Sequence, residues 1–337
     1  MKNKTVLLIG GAGYIGTVLT DHLLSLGMKV VCLDCFLYQN NSSVLSFLNN
    51  PNYKFVYGDM ADPVIMDEAT GNVTDVVLLA GMVGEPITSK YPAEARLINN
   101  LGIRKCLDKL NEKGVNKVIY TSSCSNYGLI DNNQLATEEH PLHATSSYVE
   151  DKISIEEHLF SALYYFHPTV LRFATAFGLS PRFRLDLTIN EFVYEAKTIG
   201  ELTIFNPKAW RPYCHVKDLA RLVELVLTAP TTKTSHQIFN GGGEVNNFTK
   251  QGLVELIKAY IPDVKINYSG TYNDPRDYRV DFSKARQVLG FEPEYTVEDG
   301  IVEIINALDN HIFDNIDNQH TLYRNTKIFY NTKNVKE

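Results

Sequence analysis

Residues 5–16 read Thr5-Val-Leu-Leu-Ile-Gly-Gly-Ala-Gly-Tyr-Ile-Gly16, an apolar run that passes directly into glycines spaced three apart. The run predicts a buried strand, and apolar residues at helical spacing from Ile15 to Leu26 predict a helix after it. Such a turn lets a pyrophosphate approach the backbone and lie on the free N–H groups of the helix, although an ordinary strand-to-helix turn is the alternative. The predicted dinucleotide-binding residues here are Gly10, Gly13, Tyr14, Ile15 and Gly16.

The second predicted strand, Val30–Asp34, ends in a carboxylate. A carboxylate at this point can accept hydrogen bonds from both hydroxyls of an adenosine ribose, whereas a 2′-phosphate would meet a like charge. Asp34 therefore favours NAD over NADP. Strand, glycine triplet, helix, strand and acidic end form one uninterrupted unit, which is more specific than the glycine triplet alone.

Composition excludes several classes of protein. The 337 residues are 44% hydrophobic with a net charge of −7, so there is no basic stripe for nucleic acid and no apolar stretch of membrane-spanning length. The residues before the first strand form no apolar signal segment, which predicts a soluble, cytoplasmic protein. Five scattered cysteines indicate a reducing compartment. Cys32 and Cys35 form a C-x-x-C that could bind metal, but strand packing is the preferred interpretation, and no metal is predicted.

The order of apolar segments predicts an α/β fold, a Rossmann-type doubly wound parallel sheet with a smaller mixed α/β lobe for substrate. We assign 1–177 to the NAD-binding domain, 178–310 mainly to the substrate lobe and 311–337 to a C-terminal tail of unknown role. Further predicted strands are Lys54–Tyr57, Val76–Leu79, Lys117–Thr121, Thr169–Phe173 and Gln237–Asn240. Further predicted helices are Tyr148–Leu163, 187–199, 216–228 and Phe248–Tyr260.

Three residues outline a candidate hydride-transfer site. Y-x-x-x-K occurs three times in the chain, so context must select among the matches. Tyr148 and Lys152 lie on one face of a predicted helix, and Ser123 ends a predicted central strand, where ligands bind in parallel sheets. An adjacent ammonium and a positive nicotinamide would both favour the Tyr148 phenolate. Tyr148 is then the predicted base, Ser123 a hydrogen-bond partner of the reacting oxygen and Lys152 a ligand of the nicotinamide ribose.

From Thr5 to about Leu308 the chain resembles the extended short-chain dehydrogenase/reductase family, in its branch of NAD-dependent nucleotide-sugar epimerases and dehydratases. Several motifs in order carry the resemblance: the glycine loop, Asp34, Gly58-Asp-Met60, Leu79-Ala-Gly81, the serines from Ser122, Tyr148/Lys152, Leu171-Arg-Phe173 and Trp210-Arg-Pro-Tyr-Cys-His215-Val-Lys-Asp218. The resemblance implies an NAD cofactor, a nucleotide-sugar substrate, a role in polysaccharide biosynthesis and a homodimer. The dimer would form through the Tyr148 helix and its neighbour around Glu94–Leu110.

The resemblance also assigns individual residues. Asp59 and Met60 would flank the adenine, Ala80 and Gly81 would line the diphosphate and ribose, and Asn99 would lie near the nicotinamide. The residues implied to hold the substrate are Ser125, Thr175, Arg182, Arg184, Asn190, Arg211 and Arg276. Arginine suits a diphosphate because its planar fork donates two parallel hydrogen bonds, although each of these arginines could instead form a surface ion pair.

The type of reaction is predicted from positions at which the chain departs from the family pattern. Related 4,6-dehydratases have an acid after the catalytic hydroxyl, but here Cys124 and Ser125 follow Ser123, which argues against elimination. Cys124 is interpreted as a packing residue. Glu150 and Asp151, between Tyr148 and Lys152, replace the usual small residues and are expected to face solvent or a neighbouring helix.

The remaining predicted reaction is oxidation of a nucleotide-sugar hydroxyl at C4. Among the enzymes that begin in this way we favour a 4-epimerase, because it needs no second substrate. The alternative is a 4-dehydrogenase that releases the ketone, since residues 173–187 resemble a subgroup linked to bacterial surface sugars that includes enzymes oxidising GDP-heptoses at C4. A non-catalytic NAD-binding regulator is less favoured, because Ser123, Tyr148 and Lys152 are all present.

Overall fold

The computed structural model describes residues 4–131, 134–269, 276–314 and 320–330. Its strands are β1 (Thr5–Ile9), β2 (Lys29–Asp34), β3 (Tyr53–Tyr57), β4 (Asp75–Leu78), β5 (Lys117–Ser123), β6 (His167–Phe173), β7 (Thr175–Phe177), β8 (Glu201–Phe205), β9 (Trp210–His215), β10 (Gln237–Gly241), β11 (Asn247–Thr249) and β12 (Lys265–Ser269). Within the described residues, seven parallel strands form one sheet in the order β3-β2-β1-β4-β5-β6-β10. The predicted doubly wound α/β fold is confirmed.

Helices cover both faces of this sheet. The α-helices of the described residues, in both lobes, are α1 (Tyr14–Ser25), α2 (Pro63–Ala69), α3 (Glu85–Lys90), α4 (Pro92–Arg96), α5 (Ile103–Lys113), α6 (Ser147–Ser161), α7 (Thr188–Thr198), α8 (Val216–Thr228), α9 (Thr231–Thr234), α10 (Lys250–Tyr260), α11 (Ser283–Leu289), α12 (Val297–Asp309) and α13 (His320–Tyr323). Side chains alternate along a strand, so Val6 and Leu8 pack with α1 and α8, whereas Leu7 and Ile9 pack with α2, α5 and α6. Both faces are buried, which is why β1 is apolar from Val6 to Ile9.

The second lobe is built from two small sheets and three of the helices. In one sheet β9 pairs in parallel with β7 and antiparallel with β11, and in the other β8 pairs in parallel with β12. Helices α7, α10 and α12 enclose a separate apolar core with these strands. The first strand of this lobe is β7, immediately after β6. The division of the chain into domains stays a prediction.

Two details differ from the sequence expectations. The strand Gln237–Gly241, assigned to the substrate lobe, pairs with β6 in the main sheet. Phe248 lies in β11 and not in the following helix, which begins at Lys250 because the Thr249 hydroxyl accepts a hydrogen bond from the Gly252 N–H at 3.0 Å. Short strands such as β7 and β11 carry too few residues to show a period of two.

Candidate active site

The glycine loop has the shape that a dinucleotide requires. Gly10 has φ +83°, and a Cβ there would lie 2.6 Å from the Ala80 nitrogen, while a Cβ on Gly16 would lie 2.6 Å from Gly11. Gly13 precedes α1, and among the residues that the structure describes no side chain caps the start of that helix. The loop therefore keeps backbone surface and helix N–H groups open for a phosphate, as predicted for NAD.

Asp34 lies at the end of β2, beside this loop. Its carboxylate accepts hydrogen bonds from the Ala12 N–H at 3.0 Å and the Phe36 N–H at 2.8 Å. Burial raises the pKa of Asp34, and these two N–H groups oppose the rise. The carboxylate is fixed in orientation and still lines the cleft, which fits recognition of a ribose.

The other predicted cofactor residues divide into two groups. Those that line the same cleft as Gly10, Gly13, Tyr14, Ile15 and Gly16 are Asp59, Met60, Ala80 and Gly81. Asn99 lies behind the cleft wall, where its amide accepts from the Met82 N–H at 2.7 Å and donates to the Met82 carbonyl at 3.0 Å. Asn99 thus shapes the loop after β4, and its direct contact with the cofactor stays a prediction.

The predicted catalytic residues meet at the carboxyl end of β5. Tyr148 and Lys152 lie one turn apart on α6, which the Ser146 side chain caps, and both side chains are buried. The Lys152 ammonium donates to the Thr121 carbonyl at 2.7 Å and lies 5.9 Å from the centre of the Tyr148 ring. Ser123 ends β5 and lines the same cleft. The end of β5 and the start of α6 thus bring Ser123, Tyr148 and Lys152 together at one cleft, and their catalytic roles stay predictions.

Burial dominates the electrostatics of Tyr148 and Lys152 in the protein alone. Burial raises the pKa of Tyr148 to about 12. The charge of Arg184 and a hydrogen bond with Ser123 oppose this rise but do not outweigh it. Burial also lowers the pKa of Lys152 to about 8. In the protein without NAD the phenol is therefore protonated at neutral pH. That the Lys152 ammonium and the nicotinamide together favour the phenolate stays a prediction.

A buried ion pair lies directly behind the catalytic residues. Glu156, one turn after Lys152 on α6, pairs with Arg172 of β6, and both side chains are almost fully buried. The Glu156 carboxylate also accepts hydrogen bonds from Ser122 and, at 2.8 Å, from Asn126. This carboxylate connects α6 with the end of β5 and with β6, so it fixes the elements that carry Ser123, Tyr148 and Lys152.

The predicted substrate residues are only partly available. Ser125, Thr175, Arg182, Arg184, Arg211 and Arg276 line the cleft. Arg184, however, forms a two-point ion pair with Asp186 at 2.9 and 2.7 Å, and Arg182 donates to the Asn325 side chain at 2.8 Å. Asn190 is fully buried, accepts from the Gly178 N–H and donates to the Arg184 carbonyl. Asn190 therefore supports the wall behind Arg184.

Several lining residues are absent from the sequence predictions: Glu85, Tyr278, Asn325 and Tyr330. Glu85 follows β4, and the rule that ligands bind at the carboxyl ends of parallel strands could have identified it. Asn325 and Tyr330 come from the C-terminal tail, which has no periodicity to place it.

The structure confirms the expected surroundings of Cys124, Glu150 and Asp151. Cys124 is buried with its sulfur 3.1 Å from the Arg172 carbonyl, Glu150 is exposed, and Asp151 accepts from the Asn100 amide at 3.0 Å. Burial raises the pKa of both Cys32 and Cys35.

Among the described residues, no group of His, Cys, Asp and Glu could hold a metal, and no helix is long and apolar enough to cross a membrane.

Known proteins share both the sequence pattern and this architecture. The model of the NAD dependent epimerase/dehydratase family matches residues 6–242. A UDP-glucose 4-epimerase of Corynebacterium glutamicum is 29% identical over 320 residues, covering 88% of this chain and 93% of that protein. UDP-glucuronic acid decarboxylase 6 of Arabidopsis thaliana is 27% identical over 319 residues, covering 89% and 87%.

Solved structures of nucleotide-sugar enzymes have the same fold. The UDP-glucose 4-epimerase of Thermotoga maritima with UDP-glucose superimposes with a TM-score of 0.80 at 26% identity, covering 91% of this chain and 99% of that one. A Bacillus cereus UDP-glucuronic acid 4-epimerase in complex with UDP-glucuronic acid and NAD superimposes with a TM-score of 0.82 at 20% identity, with the same coverage, and shows the fold alone. With a family model that matches well over half of its length, the chain belongs to the NAD dependent epimerase/dehydratase family and uses NAD to modify a nucleotide sugar.

Proposed function

We propose that the chain is an NAD-dependent nucleotide-sugar 4-epimerase with Tyr148 as its base. The observation that carries the proposal is the convergence of Ser123, Tyr148 and Lys152 in the cleft that contains the glycine loop. Relatives of similar length include UDP-glucose 4-epimerases, which supports this outcome among those found in the family.

The residues act on a hydroxyl at C4 of the sugar. The phenolate form of Tyr148, which the Lys152 ammonium and the positive nicotinamide of bound NAD would favour, takes the hydroxyl proton as the C4–H bond breaks. Ser123 hydrogen-bonds the same oxygen while it becomes a ketone. NAD, when bound, supplies the acceptor for the hydride and returns it. Lys152 provides positive charge beside the phenol at neutral pH. When the hydride returns to the opposite face of C4, Tyr148 gives the proton back, and the sugar is epimerised without net oxidation.

The nucleotide part of the substrate is assigned to the arginine-rich side of the cleft. Arg211 and Arg276 line the cleft, as does Thr175, the first residue of β7. We propose that these residues hold the diphosphate, because guanidinium groups bind phosphate oxygens in pairs. The ion pair with Asp186 makes Arg184 a weaker candidate.

Elimination of water is less well supported. It needs an acid next to the catalytic hydroxyl, and the residues after Ser123 are Cys124, which is buried, and Ser125. Glu85 is a carboxyl group in the cleft, at the start of α3, so a variant at this position tests whether a second acid takes part.

A 4-dehydrogenase that releases a 4-keto sugar, for example from a GDP-heptose, is the second candidate. The cleft residues serve its first half-reaction equally well, and residues 173–187 carry the resemblance that favours it. A non-catalytic NAD-binding regulator is a weaker candidate because the three catalytic side chains are together.

The test is conversion of a panel of UDP-, GDP-, CDP- and dTDP-sugars, with UDP-glucose and UDP-glucuronic acid included. Absorbance at 340 nm and sugar products are followed together. Formation of a C4 epimer without net NADH supports the epimerase. NADH or a 4-keto product makes the protein a dehydrogenase, a decarboxylated or dehydrated product contradicts both, and binding without conversion supports the regulator.

We further propose a cytoplasmic homodimer that serves polysaccharide biosynthesis. Within one chain α6 already lies against α5 and the turn before it, since Arg104 donates to the Ser154 hydroxyl at 2.8 Å. Two such pairs would form a four-helix bundle. Sedimentation that shows only a monomer at micromolar concentration contradicts the dimer, and cell fractionation tests the location.

A further inference from the structure

The C-terminal segment 323–330 connects the two lobes across the cofactor cleft. At its beginning, the Tyr323 carbonyl accepts from the Leu185 N–H at 2.7 Å, and Arg324 forms an ion pair with Glu191 of α7 at 2.7 Å. These contacts fix the start of the segment to the substrate lobe.

The end of the segment is fixed to the NAD-binding sheet. The Phe329 N–H donates to the Leu37 carbonyl at 2.9 Å, and the Tyr330 hydroxyl donates to the Asp59 carboxylate at 2.7 Å. Leu37 follows β2, and Asp59 follows β3. The segment therefore ends at the carboxyl ends of these two strands.

This position identifies which part of the cofactor lies beneath the segment. In a doubly wound sheet the acidic residue after the second strand binds the adenosine ribose, and that residue is Asp34. Ser123 and Tyr148 mark the opposite end of the cleft, where the reaction occurs. Tyr330 and Asn325 line the cleft on the Asp34 side, so the segment covers the adenosine half of the cofactor.

Asn325 also determines where Arg182 points. Its side-chain oxygen accepts from the Arg182 guanidinium at 2.8 Å, and Asn325 is only 8% exposed. The guanidinium lies 5.7 Å from the centre of the Tyr38 ring, close to the end of β2. Its charge also opposes the rise that burial causes in the pKa of Asp34. Arg182 therefore lies at the adenosine end and not beside Tyr148.

We propose that segment 323–330 forms part of the NAD site, with Asn325 and Tyr330 as cofactor-binding residues. Arg182, held by Asn325, contacts the adenosine or pyrophosphate part of NAD and not the sugar nucleotide. The Tyr330 ring supplies a flat apolar surface for the adenine, and its hydroxyl fixes that ring to Asp59. The adenosine half of NAD leaves only after the hydrogen bonds of Phe329 and Tyr330 open, so the segment slows cofactor release.

The test measures NAD alone, with no nucleotide sugar present, so it is independent of the proposed reaction. Asn325→Ala and Tyr330→Phe are compared with Lys327→Ala, whose side chain is exposed on the same segment. NAD affinity is measured by calorimetry on cofactor-free protein, and NAD release by stopped-flow competition. Loss of a hydrogen bond to a charged group predicts release about tenfold faster and binding about tenfold weaker for both variants. The Lys327→Ala control should stay close to wild type.

Wild-type affinity and release rate in both variants would overturn the proposal. If Asn325→Ala fails to fold, Tyr330→Phe decides alone, since it removes a single oxygen atom. Hydrogen exchange at the Phe329 amide gives a second readout, because bound NAD should slow it. An NAD-independent exchange rate at that amide would also count against the proposal.

Discussion

Replacing Glu156 by glutamine is expected to destabilise the protein and to disturb the catalytic site together. Arg172 Nη2 lies 2.7 Å and Nε 3.1 Å from the same Glu156 carboxylate oxygen, and the other oxygen accepts from Asn126 at 2.8 Å. An amide has only one accepting oxygen. In Glu156→Gln the new NH2 group must face either the Arg172 guanidinium or the donors of Ser122 and Asn126. In both cases Arg172 loses its counter-charge.

The magnitude follows from the burial of the pair. Side-chain exposure is 3% for Arg172 and 4% for Glu156, so solvent cannot replace the missing charge. Removing one partner of a buried ion pair costs about 3–5 kcal/mol. At about 2 °C per kcal/mol for a chain of this size, the melting temperature should fall by about 6–10 °C.

The assay is thermal unfolding followed by circular dichroism, with Glu157→Gln as the matched control because Glu157 is the next residue on α6 and is exposed. The control should melt within 1 °C or so of wild type. Activity at a temperature where both variants are folded should fall in Glu156→Gln only, because its carboxylate fixes α6 to β5. A melting temperature for Glu156→Gln equal to that of Glu157→Gln would refute the role of the ion pair.

Three further variants test the site. Tyr148→Phe should retain NAD affinity and lose turnover by about 10²–10⁴-fold, since it removes only the proton acceptor; near-normal turnover rules out Tyr148 as the base. Burial lowers the pKa of Lys152 from 10.5 to about 8, so its charged form destabilises the fold by about 3 kcal/mol below pH 8, and this effect disappears as the pH rises to 10.5. Lys152→Met should therefore melt higher than wild type at pH 7 and lose this advantage near pH 10.5, and an unchanged melting temperature at pH 7 contradicts the effect of burial. Glu85→Gln should leave the turnover of an epimerase within a fewfold of wild type, whereas a loss of about 10²-fold or more indicates a second acid–base step.

The parts of the site that sequence predicts well are those fixed by local spacing. The glycine loop is a strand, a turn and a helix in succession, and Asp34 is placed by the next strand. Tyr148 and Lys152 share a helix face because they are four residues apart. Ser123 needs one more assumption, that its strand is central, and the order of the parallel strands supplies it.

The parts that sequence does not predict depend on contacts between distant residues. Tyr330 and Asp59 are 271 positions apart. Asn325 and Arg182 are 143 apart, and neither pair has a pattern that anticipates the other partner. Arg182 was assigned to the substrate because arginine suits a diphosphate, but its location follows from Asn325. The pKa of Tyr148 is a further case, since its rise comes from burial, which a motif does not report.

The C-terminal segment also bears on the choice between epimerase and dehydrogenase. An epimerase returns the hydride to its own substrate, so one bound cofactor serves every turnover, and a site that releases NAD slowly does not limit the rate. A dehydrogenase that releases its keto product must exchange or reoxidise the cofactor in each cycle. If exchange is required, the hydrogen bonds of Phe329 and Tyr330 must open at least as fast as turnover. NAD release much slower than turnover is therefore compatible with an epimerase and incompatible with cofactor exchange in every cycle, whichever sugar the enzyme uses.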